Sequence, residues 1–232
     1  YVDLFNNVPC VGHCHPHFVK TVSSQLKTLN VHSRYLHQSI LDYADRLIST
    51  HHDSIESVIF SCTGTEANEI ALQMARLATG GRGIICTDAT YHGNSAEVSK
   101  LTGAKSNQGD VRSIRFPETY RTDTEDPLNH HLRELQLVIE SFREDGTPFA
   151  GMLVCPILAN EGLPNIPKGY MAEAAKIVHQ AGGVFMADEV QAGLCRTGMW
   201  WGYQTMGVVP DIVTMGKPLG GGIPLAATAA ST

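Results

Sequence analysis

The chain has 232 residues, of which 43% are hydrophobic and 17% charged, a balance that excludes a disordered polypeptide and allows a substantial core. Seventeen basic residues against twenty-three acidic ones give a net charge of −6, which argues against a nucleic-acid partner. No apolar run approaches the roughly 18 residues needed to cross a bilayer, so no membrane partner is expected.

Taken in chain order, residues 1–38 form an N-terminal segment. It carries a Pro-, Gly- and His-rich loop from Gly12 to His17, followed by a short helical stretch over 18–29. Ile40, Leu41, Tyr43, Ala44, Leu47 and Ile48 recur at helical spacing and predict a helix over 39–48. A buried strand is expected over 57–62, then a helix over 66–77 closed by Gly80 and Gly81, then a strand over 83–87. Residues 103–127 are polar and without a period, and read as one long loop. Asp126 and Pro127 form an N-cap and first-turn pair for a helix whose stripe is Leu132, Leu135, Val138, Ile139 and Phe142. A strand over 149–157, a helix over 170–181 and strands over 183–190 and 211–215 complete the pattern. Alternating strands and helices predict an α/β, three-layer αβα sandwich with a mostly parallel sheet, covering residues 39–232. The chain begins at Tyr1 and stops within an apolar stretch of small residues, 226–232, so a fragment of a longer protein is expected, and a leader lost from the N-terminus stays open.

In parallel sheets ligands gather at the carboxyl ends of the strands, and four polar clusters fall there. The first is Ser61-Cys62-Thr63-Gly64-Thr65-Glu66-Ala67-Asn68, between a strand and a helix start. Free N–H groups and the helix dipole attract a phosphate, and hydroxyls of Thr63 and Thr65 would add donors; the same residues also fit plain helix capping. Tyr91-His92-Gly93 follows the next strand, with Tyr91 placed either to stack on a planar group or to anchor the loop. Asp188, in Ala187-Asp188-Glu189-Val190-Gln191, ends an apolar strand, so its carboxylate needs a cationic or hydrogen-bonding partner. A protonated pyridine nitrogen and a structural Arg196 are both candidates. Lys217 stands between Gly216 and Pro218 directly after an apolar strand, where desolvation would make it a nucleophile and base. The glycines 220–222 follow the lysine, which is the wrong order for a nucleotide P-loop. Phosphate cradle, ring stacker, pyridinium partner and Schiff-base lysine are together the parts of a pyridoxal 5′-phosphate (PLP) site.

The sequence resembles the class III aminotransferases of PLP fold type I. The matching stretches are Asn6-Asn7-Val8 with Gly12-His13-Cys14-His15-Pro16, the 63–68 cluster, Tyr91-His92-Gly93, Asp188 to Gln191 with Arg196-Thr197-Gly198, and Gly216 to Gly222. The first of these, with Ser33-Arg34-Tyr35-Leu36-His37, further resembles the alanine–glyoxylate aminotransferase 2-like group, which includes phospho-lyases acting on phosphoethanolamine and phosphohydroxylysine. The resemblance implies an aspartate aminotransferase-like major domain over 39–232 and a homodimer with interfacial sites. It also implies that Gly64 and Thr65 bind the cofactor phosphate, Tyr91 stacks on the ring and Asp188 pairs with its nitrogen. Val190 would pack behind the ring, Gln191 would lie near the phenolic oxygen, and Lys217 would form the Schiff base. Transamination between an amino donor and an oxo acid is the expected activity, with phospho-lyase elimination as the alternative.

Two departures stand out. Where the family usually has Glu followed by Pro or Met, this chain has Cys155-Pro156, and Glu161 occupies a place usually held by a small residue. Either Glu161 takes over the missing charge or substrate preference differs. The family's C-terminal domain, with a threonine that reaches the partner subunit's cofactor phosphate, is not in this sequence. Two readings of another class compete: a non-catalytic PLP-binding domain, and a metal module built from His13, His15 and His17 with Cys10 and Cys14. Pro16 interrupts that run, and no metal is expected. Six cysteines without a C-x-x-C pair suggest free thiols and a reducing, cytoplasmic setting.

Overall fold

The computed structural model of the protein describes residues 10–32, 35–104 and 109–232. The motif residues Asn6, Asn7, Val8, Ser33 and Arg34 lie outside them. Seven strands form one sheet: β1 (Ile55–Ser61), β2 (Gly83–Thr87), β3 (Val111–Ile114), β4 (Phe149–Val154), β5 (Val184–Asp188), β6 (Ile212–Met215) and β7 (Ala226–Ser231). Their spatial order is β1-β7-β6-β5-β4-β2-β3. The pairs β2/β3, β2/β4, β4/β5 and β5/β6 are parallel, and β7 is antiparallel to both its neighbours. Six strands therefore point the same way, and their carboxyl ends share one edge.

The helices are α1 (Pro16–Leu26), α2 (Gln38–Ile48), α3 (Gly64–Thr79), α4 (Pro127–Glu144), α5 (Tyr170–Gln180) and the single turn α6 (Gly202–Thr205). Strand side chains alternate between two apolar layers, as the pleat requires. Ile84, Cys86, Leu153 and Met186 pack with Ala71, Leu72 and Ala75 of α3. Ile85, Met152, Val154, Phe185 and Ala187 pack on the other face with Leu135 and Phe142 of α4 and Ala174 and Val178 of α5. Helices cover both faces of the central strands, which is why those strands read as continuous apolar runs. Each fully buried Ile, Leu, Met or Phe here contributes about 1.5–3 kcal/mol.

Several expectations change, among them the strand over 149–157, which ends at Val154. The helix over 18–29 begins earlier and ends earlier, at Pro16 and Leu26, with Pro16 in the first turn where its missing N–H costs nothing. The stretch 103–127 contains β3: Arg112 interrupts its apolar pattern but is fully buried, paired with Asp145 and Ser141 and lying 4.0 Å over the Phe142 ring. The strand expected over 183–190 stops at Asp188, because the Val190 N–H turns back to donate to Asp188 Oδ1 at 3.0 Å. Residues 226–231, which carried no strand signal, form β7; their small side chains let α3 lie close, and Thr228 Oγ1 donates to the Ala67 carbonyl at 2.8 Å.

Candidate active site

The site is assembled where β1, β2, β4, β5 and β6 end. Beyond β1, Thr63 is extended and caps α3: its hydroxyl oxygen accepts from Glu66 N–H at 3.1 Å, and the Glu66 carboxylate accepts from Thr63 N–H at 3.1 Å and Cys62 N–H at 2.7 Å. The capping reading holds for Thr63 and Glu66; the Thr63 hydroxyl accepts in the cap and keeps its own hydrogen to donate. Gly64 and Thr65, whose first-turn N–H groups have no helical partner four residues back, line the cavity. A Cβ on Gly64 would lie 2.9 Å from both Val190 methyls, and one on Gly216 3.3 Å from Val190 Cγ1. Val190 is therefore wedged between the start of α3 and the turn that carries the lysine.

Beyond β2, Tyr91 projects its ring half into solvent, and its carbonyl accepts from Asn160 Nδ2 at 3.1 Å. Asn160 Oδ1 in turn accepts from Gln191 Nε2 at 3.3 Å, so one side chain after β4 ties the Tyr91 loop to the loop after β5. Gly93 has φ +140°, and a Cβ there would meet Thr65 Oγ1 at 2.6 Å. Only glycine lets this loop close on Thr65 at the start of α3.

Asp188, at the end of β5, is 5% exposed. Its Oδ2 accepts from His92 Nδ1 at 2.6 Å and from Asn68 Nδ2 at 3.0 Å, and its Oδ1 accepts from Val190 N–H. These donors, rather than Arg196, hold the carboxylate. Lys217 follows β6 with φ +27°, a strained value for a residue with a side chain. Burial pushes its amine below the ordinary lysine range, partly opposed by the charge of Asp188.

A cavity of about 370 Å³ lies between these groups, and all seven residues singled out from the sequence line it. Cys155 lines it as well, its thiol pushed up by burial and by the nearby carboxylates of Asp188 and Glu161. Glu161 does not stand in the wall; one carboxylate oxygen accepts from Thr87 Oγ1 and the other is buried without a partner. Trp201 is part of the core, stacked on His51 with centroids 4.2 Å apart. Among the described residues, no group of three or more His, Cys, Asp or Glu is arranged to hold a metal ion, and no helix is long and apolar enough to cross a membrane.

Sequence reasoning passed over Asn68 and Asn160 and gave His92 no role. Asn68 left a trace: it sits in the apolar stripe of α3 beside Ala67, Ala71 and Leu72, where a polar side chain demands a partner. Asn160 left none. The arrangement can bind an anion at a helix start, face a planar cation with a fixed carboxylate, and offer a desolvated amine between them.

A sequence profile for the family described as aminotransferase class-III matches residues 1–232. The Arabidopsis thaliana protein named alanine–glyoxylate aminotransferase 2 homolog 2, mitochondrial, is 39% identical over 98% of this chain and 49% of its own length. Among solved structures, an Arthrobacter phospholyase in complex with phosphoethanolamine superposes with a TM-score of 0.93 at 37% identity, covering 100% of this chain and 57% of that one. Taurine:2-oxoglutarate aminotransferase from Bifidobacterium kashiwanohense, in complex with PLP and glutamate, gives a TM-score of 0.85 at 25% identity over 98% of this chain and 54% of that one. The chain spans about half the length of the curated relatives it matches.

Proposed function

The chain belongs to the class III aminotransferase family, whose cofactor is PLP, and we propose that it is the cofactor-binding part of a transaminase in which Lys217 holds that cofactor as a Schiff base. The observation that carries this reading is the single cavity shared by the fixed carboxylate of Asp188 and the desolvated amine of Lys217. The residues fit the cofactor. Gly64 and Thr65 bring the start of α3 to the cavity wall, where first-turn N–H groups suit a phosphate, and Asp188 Oδ1 keeps acceptor capacity for a ring N–H.

When bound, PLP supplies an electron sink for negative charge developing on the substrate carbon that bears nitrogen. Gly64 and Thr65 would hold the phosphate through N–H groups, and Tyr91 and Val190 would flank the ring. Gln191, steadied by Asn160, is placed for the phenolic oxygen. Asp188 would pair with the ring nitrogen, and Lys217 Nζ would take the proton from the substrate carbon as a base and return it as an acid. Burial, which lowers its basicity, favours the neutral amine that this first transfer needs. An amino donor and an oxo-acid acceptor react in turn, which gives ping-pong kinetics.

Borohydride reduction of the full-length holoenzyme, followed by peptide mapping, tests the assignment. The cofactor is expected on Lys217, and Lys217→Ala is expected to abolish both labelling and turnover. Label on another lysine would overturn it.

A second reading, elimination of phosphate and ammonia from a phosphorylated amine, is favoured by the similarity to the Arthrobacter phospholyase. It uses the same base and the same cofactor pocket. Incubation with phosphoethanolamine separates the two: inorganic phosphate and ammonia mark the lyase, whereas an amino acid formed from added pyruvate marks the transaminase. A homodimer without nucleic-acid or membrane partners completes the proposal. A cytoplasmic setting is supported by six free thiols.

A further inference from the structure

Asn68 lies in the second turn of α3 and is 1% exposed. All its hydrogen-bonding groups are used. Nδ2 donates to the His92 carbonyl at 2.7 Å and to Asp188 Oδ2 at 3.0 Å, while Oδ1 accepts from Thr214 Oγ1 at 2.6 Å. The amide has one acceptable orientation. Turned over, its oxygen would face a carbonyl and a carboxylate with no donor between them.

The two acceptors set the orientation of the amide, Thr214, buried in β6, holds its oxygen, and the amide holds the carboxylate. Oδ2 of Asp188 receives both Asn68 and His92, and among the described residues Oδ1 receives only the Val190 N–H. A carboxylate has about four acceptor sites, so the remaining one belongs to Oδ1.

We infer that Asn68, held by Thr214, is a positioning residue that locks Asp188 with Oδ1 available to the cofactor ring nitrogen. The inference rests on the assignment of Asp188 as the partner of that nitrogen. It also gives α3 a second task. The first turn of the helix offers Gly64 and Thr65 to the phosphate, and a rise of roughly 6 Å along the same helix brings Asn68 to the carboxylate that meets the far end of the ring. One rigid element thus sets the spacing between the two anchors of the cofactor.

The test is titration of full-length apoprotein with PLP, reading bound cofactor by absorbance, together with pH titration of that absorbance. Asn68→Leu keeps the volume and removes both donors. It is expected to weaken binding about tenfold or more, the loss typical of a hydrogen bond to a charged group, and to move the absorbance midpoint. Thr214→Val is expected to weaken binding several-fold and carries the same test if Asn68→Leu does not fold. In an Asp188→Asn background, Asn68→Leu is expected to change affinity by less than about twofold, because its effect passes through the carboxylate. Normal affinity in folded Asn68→Leu or Thr214→Val would overturn the inference, as would equal losses in the two backgrounds. Normal affinity in Asp188→Asn itself would remove the assignment of Asp188 first, so the two failures are distinguishable.

Discussion

His92 Nδ1 lies 2.6 Å from Asp188 Oδ2, and both side chains are buried. A carboxylate only accepts, so Nδ1 carries a hydrogen, while Nε2 lies 3.0 Å from Thr90 Oγ1. The ring is thereby held at both nitrogens, and the imidazole is a fixed donor to the carboxylate. His92→Phe keeps a ring in the space and removes the donor. It is expected to weaken PLP binding about tenfold, in line with the 1.5–3 kcal/mol typical of a charged hydrogen bond. Thr90→Val, which loses only the outer restraint on the ring, is expected to have a smaller effect. Titration of the apoproteins with PLP checks both, and wild-type affinity in His92→Phe would contradict the role.

The contact between Gly64 and Val190 gives a second prediction. A methyl at position 64 would lie 2.9 Å from both Val190 methyls, so Val190 would have to move out of its place between α3 and Gly216. Gly64→Ala is expected to cost about 1–3 kcal/mol of stability by overpacking and to weaken PLP binding. Val190→Ala makes room, so the double variant is expected to unfold at a higher temperature than Gly64→Ala alone. Thermal unfolding of the three variants decides it.

The parts of this molecule legible in the sequence are those where one residue type has one physical use. Gly64, Asp188 and Lys217 each break a local rule, as a bare helix start, a buried charge or a desolvated amine, and each lines the cavity. The central strands were readable because both faces are covered and the apolar run is unbroken. β3 was hidden because its pattern is broken by Arg112, whose burial depends on Asp145 and Ser141 some thirty residues later in the chain. β7 was hidden because alanine has little preference for strands, and its reason for being small, the closeness of α3, is a tertiary fact. Asn160 joins Tyr91 to Gln191 across three loops, and no local pattern encodes that meeting.

Lys217 yields a prediction about reactivity. Burial disfavours its charged form and lowers its basicity, whereas Asp188 pulls the other way. In the full-length apoprotein, an amine-selective acylating reagent is expected to label Lys217 at a lower pH than it labels free lysine. Asp188→Asn removes the opposing charge and is expected to move the onset lower still. Mass-spectrometric mapping of the modified peptide over a pH series reads both, and an onset that rises in Asp188→Asn would refute the stated balance.

The last prediction concerns two buried groups on either side of Tyr203. The Glu189 carboxylate is 1% exposed and accepts from Gly202 N–H at 2.8 Å and Tyr203 N–H at 2.7 Å; burial outweighs these donors and pushes it up from 4.5 to about 7. His51 is 8% exposed, stacks on Trp201, and has Nδ1 3.3 Å from Tyr203 Oη; burial pushes it down from 6.5 to about 4. The signs are opposite. A carboxyl raised on folding contributes stability that is complete below about 4.5 and lost as pH rises through about 7. A histidine lowered on folding contributes stability that is complete above about 6.5 and lost as pH falls through about 4. Each shift corresponds to about 3 kcal/mol at most, so the two largely offset each other across mildly acidic pH. Removing either exposes its counterpart. Glu189→Gln is expected to lose stability steeply between pH 6.5 and 4.5, whereas His51→Phe is expected to gain stability over the same interval (both pH values lie within the windows set by the two groups). Urea midpoints measured across that range read the slopes directly, and slopes of the same sign in the two variants would show that Tyr203 does not stand between opposing titrations.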